Sequence, residues 1–390
     1  MARILVGRHP LRPLVVLGAT GSIGTQTLEV ADRLGAEVVA VAARLGSEKL
    51  IEIAQRYPDA VVSVTDPGDS RERIESMVGP RARFGPGAIT EVAAMKGCTV
   101  VNGVVGFAGL RSSLAALYAG NRLALANKES LVAGGSLITQ ALATGEGELI
   151  PVDSEHSAIY QCIVGEPERS VRRIVLTASG GPFRGWSTEQ LENVTVAQAL
   201  NHPTWSMGPR ISTDSATLMN KAFEVIEAHF LFGIAYDAID VVVHPQSIVH
   251  SFVEFVDGVV KAEVGQPDMK KPIQYALTAP ARVSDPERSF SPLNHDLTFE
   301  APDTETFPCL ELGYVAGRTG GTAPAVLNAA DEIAVESFLA GRIGFTAIGD
   351  VVTSVLDRHE STEPHDVSDV EAADAEARIL AAEACERLAS

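Results

Sequence analysis

Cysteine is scarce: four residues in 390, Cys98, Cys162, Cys309 and Cys385, with no CxxC spacing among them. That scatter excludes a cysteine zinc site and fits a reducing compartment, so the chain reads as cytoplasmic. Positive charge is also short. Lys and Arg number 31 against 50 Asp and Glu, a formal net charge of −19. Such a balance argues against a nucleic-acid or anionic-lipid partner, and any anionic substrate needs a local cluster of donors. No stretch approaches the ~18 apolar residues of a membrane helix. The opening MARILVGRHPLRP is basic without a continuous apolar core and reads as an extension rather than a signal peptide.

What is present indicates an enzyme-sized globular chain. A hydrophobic fraction of 46% with 21% charged residues fits a folded soluble protein, and 390 residues imply two or three domains. Leu14-Val15-Val16-Leu17 runs into GATGSIG at 18–24, followed by a helical stretch ending at Gly35 and a second apolar strand at 37–43. Strand, glycine turn, helix and strand form the context of a dinucleotide-binding turn, where glycines admit a pyrophosphate to the helix N-terminus. The spacing is GxxGxxG (Gly18, Gly21, Gly24), and a purely structural βα turn is the alternative.

NAD enzymes place an acid about 20 positions beyond the turn. Here Arg44 occupies that place. A guanidinium suits a 2′-phosphate, which favours NADPH over NADH; a solvated surface arginine is the alternative. The expected cofactor set is Gly18, Thr20, Gly21, Ser22, Ile23, Gly24 and Arg44, with Asn127 and Glu129 at a later strand end. Further βα units at 60–66, at 99–110 with a helix running to Tyr118, and at 122–127 predict a parallel, doubly wound, Rossmann-like sheet. Lys128 and Glu129 follow a strand carboxyl end, where such sheets bind ligands, although a surface ion pair reads equally well.

Two features suggest chemistry. In PVDSEH (151–156), Asp153 and Glu155 share a face if the segment is extended. Two such carboxylates repel unless a hard cation or a shared proton lies between them, and a hydrated loop is the plain alternative. Residues 201–233 then crowd Asn201, His202, Trp205, Ser206, Ser212 and Ser215 ahead of a helix expected from about Ser215, with Asp214 or Ser212 as cap. Asn220, Lys221 and Glu224 fall on one helical face; Glu224 can complete a three-carboxylate site, or simply pair with Lys221 on a solvated surface. The strand and turn at RRIVLTASGGPF (172–183) supply Ser179, Gly180 and Gly181 as a second anion-cradling turn, or an ordinary one.

These motifs carry a family resemblance. GATGSIG, LANKESLV, PVDSEH, ASGGPFR, HPTWSMGPRISTDSATLMNK, HPQSIVHSFVE and TAPAVLNAADEIAV, in this order and from about residue 14 to 360, resemble the 1-deoxy-D-xylulose 5-phosphate reductoisomerase family. The resemblance implies Asp153, Glu155 and Glu224 as ligands of Mg²⁺ or Mn²⁺, with Co²⁺ a third candidate. It implies Ser154 and Lys128 on the substrate backbone, and Ser179, Ser215, Asn220 and Lys221 on its phosphate. His202 would lie over the reacting carbons and Trp205 would belong to a mobile lid, making Lys128, Glu155 and His202 the catalytic set. It implies NADPH, a phosphorylated small-molecule substrate and a homodimer. Two departures stand out: Ala19 where many members have serine, and Arg44 where many have glycine.

The expected organisation is an NADPH-binding domain at 1–150 and a central α+β catalytic and dimerisation domain at 151–278. A proline-rich linker at 279–308 and a C-terminal helical bundle at 309–390 follow. Residues 247–265 read as a hairpin turning at Asp257-Gly258 whose apolar edge can pair with another subunit. The acidic run at 360–376 reads as solvated. Two rivals remain: an aspartate-semialdehyde-type dehydrogenase, which needs Cys162 as nucleophile, and a nucleotide-sensing regulator without chemistry.

Overall fold

The computed structural model describes residues 11–205, 207–284 and 290–389. The first ten residues of the extension, Ser206, residues 285–289 of the expected linker and Ser390 lie outside the described residues. Contacts divide the chain into two compact units, neither continuous in sequence. One comprises Met1–Asn127, Gln140–Ser157 and Asp268–Arg288; the other comprises Lys128–Thr139, Ala158–Pro267 and Ser289–Ser390.

The first unit is a parallel sheet of seven strands in the order β4-β3-β2-β1-β5-β6-β7. In chain order the elements are β1 (Leu14–Leu17), α1 (Ser22–Leu34), β2 (Val38–Leu45), α2 (Glu48–Arg56), β3 (Val61–Asp66), α3 (Arg71–Val78), β4 (Ala82–Phe84), α4 (Ala88–Ala93), β5 (Thr99–Asn102), α5 (Leu110–Tyr118), β6 (Arg122–Leu125), α6 (Lys128–Thr144) and β7 (Glu148–Pro151). β1 is buried along its whole length, as a central strand covered on both faces must be. α1 stops at Gly35, whose φ of 67° only glycine adopts without strain. Strand order reverses beside β1, between β2 and β5, which makes the carboxyl ends of β1 and β5 the ligand crevice of such a sheet. The doubly wound expectation holds. β4 and β7, unmarked in the sequence reading, extend the sheet at its two edges. Residues 268–288 belong to this unit too: α12 (Lys270–Thr278) packs on α1, with Arg33 donating to Gln274 at 2.7 Å and Lys270 paired with Glu29 at 3.0 Å.

The second unit holds a four-stranded mixed sheet and a helical assembly. Between β7 and the first strand of that sheet runs α7 (Ser154–Ile163); then come β8 (Val171–Ala178), α8 (Thr188–Leu191), α9 (Val196–Ala199), α10 (Pro209–Ala216), α11 (Met219–Phe232), β9 (Ile239–Val243), β10 (Val249–Phe255) and β11 (Val260–Val264). The sheet order is β11-β10-β8-β9, with β8 and β9 parallel and β10 antiparallel to both of its neighbours. The hairpin β10–β11 turns at Asp257-Gly258, with Gly258 at φ 85°, as the sequence predicts. Helices α13 (Cys309–Thr319), α14 (Ala323–Leu339), α15 (Ala347–Leu356) and α16 (Val367–Leu388) form the C-terminal bundle. One apolar core joins α11, β8 and this bundle, and Cys162 belongs to it.

One expectation is corrected here. Residues 209–232 are two helices rather than one starting near Ser215: the chain breaks at Leu218, which is buried and left-handed at φ 64°. The acidic run at 360–376 enters α16, where Asp366 caps the helix by accepting from the Ser368 amide; Asp374 is buried and pairs with Arg378 at 2.7 Å, while Glu360, Glu363, Asp366 and Glu376 are exposed.

Candidate active site

The glycine turn is shaped by close approach. A Cβ on Gly18, at φ 76°, would stand 2.5 Å from the Gly103 carbonyl oxygen, and one on Gly24 would stand 2.3 Å from the Gly18 carbonyl oxygen. Nothing larger than hydrogen fits at either position. The first glycine lets the turn lie against the segment after β5, and the third seats α1 on the turn. Gly21 precedes α1 without a side-chain cap, so the amides of its first turn face outward beside Ser22 and Ile23. Arg44 is exposed on β2 and makes no hydrogen bond or ion pair among the described residues. Lys49, which the sequence reading passed over, donates from Nζ to the Thr20 carbonyl at 2.8 Å. Asn127 is buried and braces the loop after β5, donating to the Val104 and Gly106 carbonyls at 2.9 Å each.

The PVDSEH segment is not extended. Asp153 caps α7, its Oδ1 accepting from the amides of Glu155 at 3.1 Å and His156 at 3.4 Å. An aspartate in that place caps the helix because it satisfies amides the helix cannot. Asp153 and Glu155 therefore stand at the entry of a helix, the end where carboxylates are electrostatically favoured. Buried His156 meets the same Oδ1 through Nδ1 at 3.0 Å and orients that carboxylate. Ser154 donates to Glu155 Oε2 at 2.8 Å.

In the second unit, Glu224 is the centre of a buried cationic clamp. Lys128, at the start of α6, donates to its Oε1 at 3.0 Å and to Asn220 Oδ1 at 2.7 Å. The Asn220 amide donates to the same Oε1 at 2.6 Å, and Lys221 pairs with Oε2. Glu224, Lys128 and Lys221 are all buried, so the solvated-face reading of this helix is wrong: the face carries two ammonium groups on one carboxylate. The turn after β8 reaches the same helix pair. Gly180 and Gly181 are left-handed at φ 82° and 68°, and a Cβ on Gly181 would stand 2.8 Å from the Ser215 carbonyl oxygen. That contact seats the turn bearing Ser179 against the backbone at the end of α10.

His202 is held by both nitrogens. Its Nδ1 accepts from the amides of Thr204 at 3.2 Å and Trp205 at 2.9 Å, and its Nε2 meets Ser179 Oγ at 2.9 Å. Amides only donate, so the neutral ring carries its proton on Nε2 and gives it to Ser179. Ser179 Oγ also accepts from the Gly181 amide at 3.2 Å, which leaves its own O–H to donate. Burial lowers the His202 pKa, keeping the ring neutral. Trp205 lies 6.5 Å from the His250 ring.

A second charged centre lies behind the clamp. Glu129 is buried and paired with Arg210 at 3.6 Å rather than presented to solvent. Arg210 also meets Asp214 at 3.5 Å, Asp331 at 3.4 Å and Glu332 at 2.6 Å, and donates to Asn328 at 2.9 Å. Burial opposes the guanidinium charge, but Asp214, Glu129, Asp331 and Glu332 outweigh it and hold its pKa above the ordinary value. Asp214 Oδ1 and Asp331 Oδ1 are both buried without a donor among the described residues. The two carboxyls are hydrogen-bond neighbours, and burial pushes Asp214 up to about 6 and Asp331 well above its usual range. A protonated carboxyl in such a pair donates to its neighbour, which relieves the repulsion between them. The sequence reading took Asp214 only as a helix cap and gave Arg210 no role.

A doubly wound parallel sheet with a glycine turn at its switch point, joined in one chain to a unit bearing buried carboxylate–lysine chemistry, defines an α/β oxidoreductase of the dinucleotide-binding type. Family models agree in detail. The 1-deoxy-D-xylulose 5-phosphate reductoisomerase model matches residues 14–135, that family's C-terminal domain model matches 149–232, and a DXP reductoisomerase C-terminal domain model matches 264–380. The chain is 48% identical over 380 residues to the 1-deoxy-D-xylulose 5-phosphate reductoisomerase of Chloroherpeton thalassium, covering 94% of this chain and 97% of that one. It is 47% identical to the enzyme of Thermosynechococcus vestitus, over 97% of this chain and 94% of that one. The solved reductoisomerase of Zymomonas mobilis in complex with NADPH superposes with a TM-score of 0.90 at 42% identity, over 97% of this chain and all of that one. A DOX-P reductoisomerase in complex with NADPH, fosmidomycin and magnesium gives 0.90 at 37% identity, over 96% and 98% of the two chains. The chain belongs to the 1-deoxy-D-xylulose 5-phosphate reductoisomerase family.

Proposed function

We propose that this chain converts 1-deoxy-D-xylulose 5-phosphate to 2-C-methyl-D-erythritol 4-phosphate in the non-mevalonate isoprenoid pathway, using NADPH and a divalent cation. The observation that carries the reading is the Lys128–Asn220–Glu224–Lys221 cluster. Two buried ammonium groups and an amide on one carboxylate are costly to assemble and of no use to a nucleotide sensor. A dehydrogenase acting through Cys162 is disfavoured, since that thiol lies in the apolar core.

Asp153, Glu155 and Glu224 are assigned to the cation. They offer oxygen ligands only, which suits Mg²⁺ or Mn²⁺, and Co²⁺ less strictly. The glycine turn fits NADPH, since the backbone contacts at Gly18 and Gly24 hold the turn tight and leave the amides that open α1 for a pyrophosphate. When bound, the cation polarises the substrate's oxygens and the nicotinamide supplies the hydride.

The protein's own residues do the rest. Ser179, with its O–H unspent, joins Ser215, Asn220 and Lys221 in holding the phosphate. Ser154 and Lys128 orient the substrate's hydroxyl and carbonyl oxygens. His202, neutral and fixed in one tautomer, presents a shaped surface to the reacting carbons and positions Ser179. Trp205, in the segment leading to Gly208, covers bound substrate and excludes water.

Four free, buried cysteines support a reducing, cytoplasmic setting. The β11 edge, with Val256, Val259, Val260 and Val264 exposed, supports a homodimer formed through this sheet. Light scattering behind size exclusion checks that assembly; a monomer mass would remove it. The test of function is NADPH oxidation with 1-deoxy-D-xylulose 5-phosphate, with and without a chelator. Turnover that is absent, or that survives complete chelation, overturns the reading.

A further inference from the structure

The glycine turn carries no basic side chain, yet a cation stands against it. Lys49, in the first turn of α2, reaches back 29 residues to donate to the Thr20 carbonyl at 2.8 Å. That hydrogen bond is exposed to solvent and by itself is weak repayment for ordering a long, flexible side chain. The surroundings leave the charge uncompensated. Glu48, its chain neighbour, is taken by Arg73, which reaches one carboxylate oxygen at 2.8 Å and pairs with the other. Glu52 on α2 and Asp66 at the end of β3, the other acids of these elements near β2's end, form no ion pair with Lys49 or Arg44 among the described residues. Ser47 is committed to capping α2, accepting from the Leu50 amide at 3.3 Å.

Two cations without acidic partners thus stand at the end of β2, in a chain whose net charge is −19. One of them touches the dinucleotide turn. This is the side of the sheet on which an adenosine ribose lies in doubly wound dinucleotide folds, and an anion there meets positive charge on both flanks.

We propose that Lys49 is a specificity-determining residue of the cofactor site: its ammonium, with Arg44, recognises the 2′-phosphate that distinguishes NADPH from NADH. The proposal rests on the reading of this turn as an NADPH site. A lysine suits the role as a compact point charge, while Arg44 supplies directional donors. Its bond to Thr20 ties recognition of the 2′-phosphate to the turn that holds the pyrophosphate.

The test is equilibrium binding of NADPH and of NADH, followed by nucleotide fluorescence, to the full chain and to Lys49→Gln and Lys49→Arg. Loss of one charge-assisted contact predicts NADPH binding about tenfold weaker in Lys49→Gln, with NADH binding unchanged. Lys49→Arg restores most of the loss, and added salt narrows the NADPH preference of the unaltered chain. Equal weakening of both nucleotides assigns Lys49 to the turn's structure and overturns the proposal, as does no change in either. An unaltered chain that binds both equally, or neither, overturns the NADPH reading itself.

Discussion

His202 donates from Nε2 to Ser179 Oγ at 2.9 Å while its other nitrogen is spent on two backbone amides. Protonation of the ring puts a hydrogen on Nδ1 and breaks both amide contacts, releasing the turn that leads to Trp205. Because burial depresses this pKa, the folded state resists the charge, and stability from the neutral ring is lost as pH falls below the ordinary imidazole range. The substrate KM of the unaltered enzyme is expected to rise on the acid side of that range. His202→Asn keeps an acceptor for the amides and removes the titration. A pH profile of KM that is the same in both proteins would sink the assignment.

Glu224 pairs with two buried lysines, so removing its charge is a folding defect before it is a catalytic one. Glu224→Gln leaves Lys128 and Lys221 facing a neutral amide, and breaking a buried pair in this way costs ~3–5 kcal/mol. Urea unfolding without ligands measures this independently of activity. An unshifted midpoint would mean that the lysines find other partners and that the clamp contributes little.

The Asp214–Asp331 pair makes stability depend on pH in a defined direction. Both pKa values are raised by burial, so the folded state keeps a proton that the unfolded chain releases near ~3.9. Asp214's share of that contribution is complete below the unfolded value and is lost as pH climbs through about 6, while Asp331 keeps its proton to higher pH. Asp331→Asn mimics the protonated partner and is expected to flatten the stability profile between ~4 and 6. A slope in that window matching the parent's would assign the pH dependence to other groups.

Arg44 is exposed and has no hydrogen bond or ion pair among the described residues, so its replacement should leave the fold untouched. Arg44→Ala is expected to raise the KM for NADPH with little change in kcat, the pattern of a contact made equally in ground and transition states. Unchanged cofactor kinetics would remove Arg44 from the site.

Much of this architecture is written in local pattern. β1, the glycine turn and the end of α1 at Gly35 follow from a β-branched run, glycine spacing and a C-terminal glycine, all confined to twenty-odd neighbouring residues. The face shared by Asn220, Lys221 and Glu224 follows from helical spacing alone. What escaped depends on partners far away in sequence. Lys49 gains meaning only because β2 ends beside Thr20. Arg210 is surrounded by acids drawn from α6, α10 and α14, which no window of sequence spans. The DSE triplet is ambiguous for a local reason: an aspartate ahead of a polar pair serves an extended loop or a helix cap equally well, and the cap forms. Helix α12 packs on α1 through pairs such as Arg33 with Gln274, separated by 241 positions.

The left-handed Leu218 constrains what this chain can become. Glycine there relieves ~1–2 kcal/mol of backbone strain, yet emptying a buried leucine site costs ~2–5 kcal/mol. β-Branched residues fit the backbone worse, and polar ones forfeit the packing. Sequence drift is therefore nearly closed at this position, and the bend between two helices is preserved by a residue that touches no ligand.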